Sequence, residues 1–376
     1  MTKQELWRLY REGRAPRPPV LWGCNPRVVL LDPALNARGW TFEAYWRDPA
    51  VGVAGQLAFL DYLYDVVGRH SDLPEAPPER WTVRVDTQNV TDGCYFGGEA
   101  IFPEGQVPTQ EPFLRVEDAE KFLGTPFDPE SNPFLQAQYA RRDAMEKAAR
   151  GMTHRGRPVE VSRPVWGSDG PVTTGLMIFG GDFPLMLGDG ESDLADRIME
   201  KIVRDSIRRN RYMLRRAGRP ERMALVEFAD DSIQLISTRM YRERVLPWHR
   251  LYYEEMGLPG ADRSMHLCGD ATRHFRVIRD ELGVGAFDTG FPVDHGALRR
   301  ELGPDVEIQG GPHVSFFTDG APSAVAEETR RILASGVAEG GRFLLREGNN
   351  MPPCVPEANL AAAYGEALAF ADGGRR

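Results

Sequence analysis

The stretch Met265-His266-Leu267-Cys268-Gly269-Asp270 is the first of three short apolar runs, the others beginning at Ala286 and Val306. They lie about twenty residues apart, with a helical, glycine-ended segment between each. That is the period of strand–helix units wound into a tight parallel sheet. Working outward, further strand-like runs occupy residues 159–165, 223–228 and 343–345. The periodicity predicts helices over residues 194–217, 238–256, 271–282, 296–302 and 322–338. Gly218, Gly257, Gly283, Gly303 and Gly340-Gly341 follow these segments as stop signals. Residues 83–85 supply a seventh strand, and either 174–179 or 20–22 an eighth. The fold class expected is α/β, a (β/α)8 TIM-type barrel. A doubly wound sheet is the competitor, but no G-x-G-x-x-G follows a first strand.

Residues 1–150 have a different texture. They are irregular and proline-rich at 16–19 and 74–78, with a strand-like piece at 99–102 and a polar helical stretch over 133–150. This part is expected to cover one end of the regular portion, about 158–370, within a single domain spanning 1–376. A hydrophobic fraction of 41% in 376 residues is ample for a packed interior. A formal charge of −9 leaves no overall basic footprint for nucleic acid or an acidic membrane. Four scattered cysteines without a CxxC pair fit a reducing compartment. The charged N-terminus and the lack of a long apolar run lead to the expectation of a cytoplasmic protein.

The active site of a parallel barrel is built at the C-terminal ends of its strands. Those ends carry Asp230 and Asp231, then His266, Cys268 and Asp270, then Asp288 and Thr289, then Gln309 and His313, and finally Glu347, Asn349 and Asn350. Residues two apart on a strand point the same way, so His266 and Cys268 put an imidazole and a thiol on one face, which is half of a zinc site. Each residue also has a plainer reading. His266 suits a hydrogen-bonded core position, Cys268 a small apolar one, Asp230 or Asp231 a helix cap and Asp288 a turn. His249 and His295 are expected at the surface. Cys24 and Cys94 are expected to pack, with residues 22–25 lining the barrel mouth.

The stretches His266-Leu267-Cys268-Gly269, Leu282-Gly283-Val284-Gly285-Ala286-Phe287-Asp288, Val306-Glu307-Ile308-Gln309-Gly310-Gly311 and Val355-Pro356-Glu357-Ala358-Asn359-Leu360, in this order, resemble the uroporphyrinogen decarboxylase superfamily. Glu227-Phe228-Ala229-Asp230-Asp231 and residues 242–247 are similar to its middle strand and helix. The resemblance implies a (β/α)8 barrel with an N-terminal elaboration. It also implies one of two chemistries: metal-free decarboxylation, or methyl transfer between a corrinoid protein and a zinc-bound thiol.

His266 and Cys268 fall on the methyltransferase zinc pair. The third ligand is expected directly after Gly348, where this chain has Asn349. Cys354, five residues on, is the candidate to complete a His-Cys-Cys set, with Asp231, Glu347 and His313 as alternatives. The decarboxylase branch places an arginine motif near residues 17–27 and a histidine at 349, and neither is present. Arg27 and Asp86, with Arg17, Asn349 and Gln309, are left to bind a polar substrate.

The first reading is a methyltransferase-like enzyme. Its metal ligands are His266, Cys268 and Cys354, and Asp230, Asp231 and Asp288 are the catalytic carboxylates. Zinc is the expected cofactor, and corrinoid is expected only on a partner protein. The alternative is a metal-independent decarboxylase or lyase of the same superfamily acting on a carboxylated substrate. A third reading is a barrel that has lost catalysis and serves as a binding or carrier-docking subunit.

Overall fold

The computed structural model describes residues 1–74, 76–188 and 192–373. Its strands form two sheets. The smaller holds β1 (Trp81–Val83), β2 (Thr153–His154) and β3 (Arg157–Val161) in the order β1-β3-β2. The larger is wholly parallel and runs in sequence order through β4 (Met223–Ala229), β5 (Gly257–Leu267), β6 (Ala286–Thr289), β7 (Glu307–Gly310) and β8 (Phe343–Leu345).

The register of the large sheet explains its sequence. One row across the strands is Phe228, Met265, Phe287, Ile308 and Phe343, each no more than 4% exposed. Phe287 meets Phe275 of helix Thr272–Leu282 edge to face at 5.1 Å, and Phe228 stacks on Tyr252 of helix Leu246–Met256 at 4.4 Å. Burying each such side chain is worth roughly 1.5–3 kcal/mol, so this face locks the sheet to its helices. The next row is Ala229, His266, Asp288, Gln309 and Leu344, pointing to the other face. The polar residues of the strand ends therefore stand side by side on the face the helices do not cover.

Two expectations need correction. Residues 174–179 are not the eighth strand. They close helix Gly170–Phe179, where Gly175 and Ile178 pack into the core. Residues 20–22 take the position beside β8, but through one isolated parallel bridge between Val20 and Leu345. Among the described residues β3 and β4 do not pair, so strand pairing does not trace a closed eight-stranded ring. A single backbone bond, Ala229 N–H to Ser168 O at 3.4 Å, joins the two sides there.

The N-terminal part is more ordered than its composition suggests. Helices Pro49–Asp65 and Pro133–Ala148 pack Val53, Leu57 and Met145 against Trp81, Val83 and Val161 of the small sheet. Arg17, expected to be free for substrate, is buried and donates both terminal nitrogens to Asp72 at 2.7 Å. Asp72 also accepts from Val20 N and the Tyr364 hydroxyl, tying the first segment to the C-terminal helix. Residues 49–70 form one helical run long and apolar enough by composition to cross a bilayer, with Val53 and Leu57 turned into the protein.

Candidate active site

His266 lies at the end of β5 with its ring between two carboxylates. Its Nδ1 is 2.8 Å from Asp288 Oδ2, and its Nε2 is 3.8 Å from Asp231 Oδ1. A carboxylate only accepts, so Nδ1 carries the proton and Nε2 faces Asp231 and Cys268. The Cys268 N–H donates to Asp231 Oδ1 at 2.7 Å, which holds that carboxylate against the strand end. One donor atom from each of Asp231, His266 and Cys268 lies within 4.8 Å of the others. The loop after β6 presses closely on this cluster. A Cβ on Gly290 would stand 2.5 Å from the Cys268 Cα, so only glycine fits there.

Asp288 is held in turn by Arg346, whose NH1 is 2.9 Å from Asp288 Oδ2 and 3.2 Å from Gln309 Oε1. Burial works to raise the Asp288 carboxyl, but His266 and Arg346 together keep it below its ordinary value. Burial likewise opposes charge on His266. The Asp288 hydrogen bond, the Cys268 contact and the charges of Asp288 and Asp231 outweigh it and hold the imidazole well above its usual range. The Cys268 thiol is pushed up by burial and by Asp231, with His266 pulling the other way. Protein groups alone therefore do not make Cys268 a thiolate.

Behind Arg346, Glu347 is completely buried. It accepts from Gly23 N at 2.9 Å, and burial pushes its carboxyl up to about 7. Residues 22–25 thus do approach the strand ends. A cavity of about 400 Å3 opens in front of His266, bordered also by Asp86, Gln88, Asp92, Trp166 and Asp169. Asp169 was not singled out in the sequence. Burial and the neighbouring Asp92, Asp231 and Asp230 drive its carboxyl well above the ordinary range, with Arg209 as a partial offset. Asp92 itself is committed to Arg209 at 2.5 Å in a fully buried pair.

The other candidates divide. Asp230 is fully buried and does not reach the cavity. It accepts from Val172 N, Thr173 N and the Thr173 hydroxyl at the start of helix Gly170–Phe179, and from His249 Nε2 of helix Leu246–Met256. Gly170 sits so close that an added Cβ would be 2.6 Å from Asp230. A catalytic role for Asp230 is therefore corrected to a structural one. His249 and His295 are buried, not at the surface. His249 shares the inward stripe of Leu246, Tyr253 and Met256, a spacing that was readable in the sequence.

Cys354 is exposed. Its sulfur lies 3.9 Å from Leu31 O, and it is not part of the Asp231–His266–Cys268 group, in which Asp231 supplies the third donor atom. His313 bonds Ser315 at the start of the next helix. Asn349 is half-buried, and its side chain makes no hydrogen bond to a described residue. Asp86 accepts from Tyr45 and Gln88 at the far side of the cavity. Arg27 donates to Asn25, and burial lowers its pKa against the favourable charge of Asp86. Arg346 was missed, although it immediately follows β8, where the strand-end rule looks for such residues.

A family model described as uroporphyrinogen decarboxylase (URO-D) matches residues 169–367. The chain is 34% identical over 107 residues to a methylated-thiol–coenzyme M methyltransferase of Methanosarcina mazei, a stretch covering 28% of each chain. It is 38% identical over 136 residues to a uroporphyrinogen decarboxylase of Saccharopolyspora erythraea, covering 30% of this chain and 35% of that one. The match thus spans about a third of these relatives' length. A solved structure titled methyltransferase from Methanosarcina mazei superposes over the whole of both chains with a TM-score of 0.63 at 15% identity, a likeness of fold.

Proposed function

The chain belongs to the uroporphyrinogen decarboxylase family, and from that premise we propose that it is a methyltransferase-like enzyme acting on a thiol. The supporting observation is the Asp231–His266–Cys268 cluster at adjacent strand ends. The fold is read as a TIM-type barrel, with Val20 beside β8 and Ser168 beside Ala229 marking where the ring comes together.

The donor set fits zinc, which takes imidazole nitrogen, thiolate sulfur and carboxylate oxygen together. The partner of the imidazole fits as well: Asp288 accepts a hydrogen bond from the Nδ1–H of His266, so Nε2 is the atom that would serve as ligand, the metal displacing its proton. Asp231, His266 and Cys268 would hold the ion, which would supply Lewis acidity that lowers the pKa of a substrate thiol.

The chain's own groups do the rest. Arg346 fixes Asp288, and through it the imidazole. Gly290 lets the loop after β6 close on Cys268 and limit water there. The substrate sulfur, lying in the cavity before His266, attacks a methyl carbon, and the breaking bond's electron pair leaves with the donor. A corrinoid carried on a partner protein is the proposed donor. The test is metal content and methyl transfer in wild type, His266→Ala and Cys268→Ala. About one zinc per chain, lost with the activity in both variants while the melting temperature holds, supports the reading. Methyl transfer that survives both substitutions overturns it.

A metal-independent carboxy-lyase is the second reading. The observation favouring it is that the cluster offers three donors and no second thiolate, with Asn349 at the position where the family resemblance puts another ligand. Decarboxylation of a small carboxylate by chelator-treated protein would establish it.

A further inference from the structure

A cleft of about 1020 Å3, larger than the cavity before His266, is lined by β3 and the residues after it, by the end of helix Pro133–Ala148 and by Ala217 and Arg219. Five arginines line it, Arg84, Arg142, Arg150, Arg163 and Arg219, against two carboxylates, Glu146 and Glu160. Both carboxylates are already engaged. Glu146 is held by Arg142 through two bonds of 2.6 and 2.9 Å, and Glu160 accepts from Thr82 at 3.1 Å. Arg84, Arg150 and Arg219 make no side-chain hydrogen bond or ion pair with any described residue. Elsewhere on the surface Arg47, Arg197, Arg204 and Arg330 close onto neighbouring glutamates. In a chain of net charge −9 this is a local reversal of sign, inside a concavity where the field is focused.

The cleft adjoins the cavity before His266. Arg84, Val85, Val165 and Trp166 border both it and the cavity that reaches His266. A small thiol does not need 1020 Å3 of arginine-lined space beside its reacting atoms.

We propose that the Arg84–Arg150–Arg219 cleft binds the anionic end of an elongated small-molecule ligand carrying two or more phosphate or carboxylate groups, whose other end extends past Trp166 toward His266. Guanidinium forks match both oxyanions, so the chemistry is shared between the two sources. The position of the reactive end rests on the site reading above, whereas the anion subsite stands without it.

The test is calorimetric titration of the whole protein with tripolyphosphate and with citrate, at two salt concentrations. Saturable binding of either is expected, weakening with salt. Arg84→Ala and Arg219→Ala should each lower affinity about tenfold, the loss of one charge-assisted hydrogen bond. His266→Ala should leave the affinity unchanged, which separates this proposal from the metal reading. Binding of tripolyphosphate alone identifies a phosphate-bearing ligand, and of citrate alone a carboxylate-bearing one. No binding of either at millimolar concentration, or binding indifferent to both arginine substitutions, overturns the proposal. So does binding of a polyglutamate peptide in their place, which would assign the cleft to an acidic protein segment.

Discussion

Asp230 and Asp231 are neighbours in the chain and belong to two different regions. Asp230 turns into the interior, where two backbone amides, a hydroxyl and His249 saturate its oxygens. The Nε2 proton of His249 goes to Asp230, so its Nδ1 accepts from Tyr241 at 3.1 Å, and every polar atom of that trio has a partner. Asp231 turns toward His266 and Cys268, its side chain about a third exposed, with one amide from Cys268 and an imidazole 3.8 Å away. Both regions are aspartate–histidine pairs at strand ends. The first has no acceptor capacity left for a ligand, and the second does. Unspent bonding capacity on a partly exposed side chain, and not residue type, separates a candidate site from a support.

The strongest way to break this comparison is to remove each aspartate. Asp230→Ala leaves two helix amides, a hydroxyl and a buried histidine unpaired, and should destabilise the fold by about 3–5 kcal/mol. Asp231→Ala should change stability by less than about 1 kcal/mol while removing metal binding. Equal shifts in the urea midpoints of the two variants would erase the distinction.

Acid titration separates the interior histidines from the cavity one. Burial, with nearby arginine charge, lowers both His274 and His295 to about 4, against an ordinary value near 6.5. Between these values the unfolded chain binds more protons than the folded one. Their contribution is therefore complete above pH 6.5 and is lost as the pH falls toward 4, on the order of 3 kcal/mol for each. Denaturant melts across this window should show stability falling with pH, and His295→Gln should flatten the slope.

A smaller effect is expected one step out from the cluster. Asp288→Asn leaves His266 without its anionic partner and should weaken zinc binding by about ten- to a hundredfold with the fold intact, as read by chelator competition. The smallest is Cys354→Ser. Exposed and apart from the cluster, it should leave stability within about 0.5 kcal/mol and metal content unchanged. Loss of metal in that variant would restore Cys354 as a ligand.

Much of this was legible in the chain. The spacing of the runs at Met265, Ala286 and Val306 gave three consecutive parallel strands, because alternation and helix stops are local properties. The same alternation placed His266 and Cys268 on one face, and the strand-end rule brought in Asp231, Asp288 and Gln309. His249 was misplaced although its stripe spacing marked it as inward, since a polar residue was read before its period. Residues 174–179 were misread because a short apolar run suits a buried helix as well as a strand.

The sequence by itself determined the β/α order, the polar row on one face of the sheet and the family. Each of these follows from periodicity or from motifs contiguous in the chain. Only the tertiary structure decided that Asp230 is saturated by interior partners while Asp231 stands beside His266 and Cys268, that Cys354 lies apart, and that Arg346 holds Asp288. It alone revealed the arginine-walled cleft beside β3. Those outcomes depend on which distant groups meet and how far each is desolvated, and neither quantity is carried by spacing along the chain.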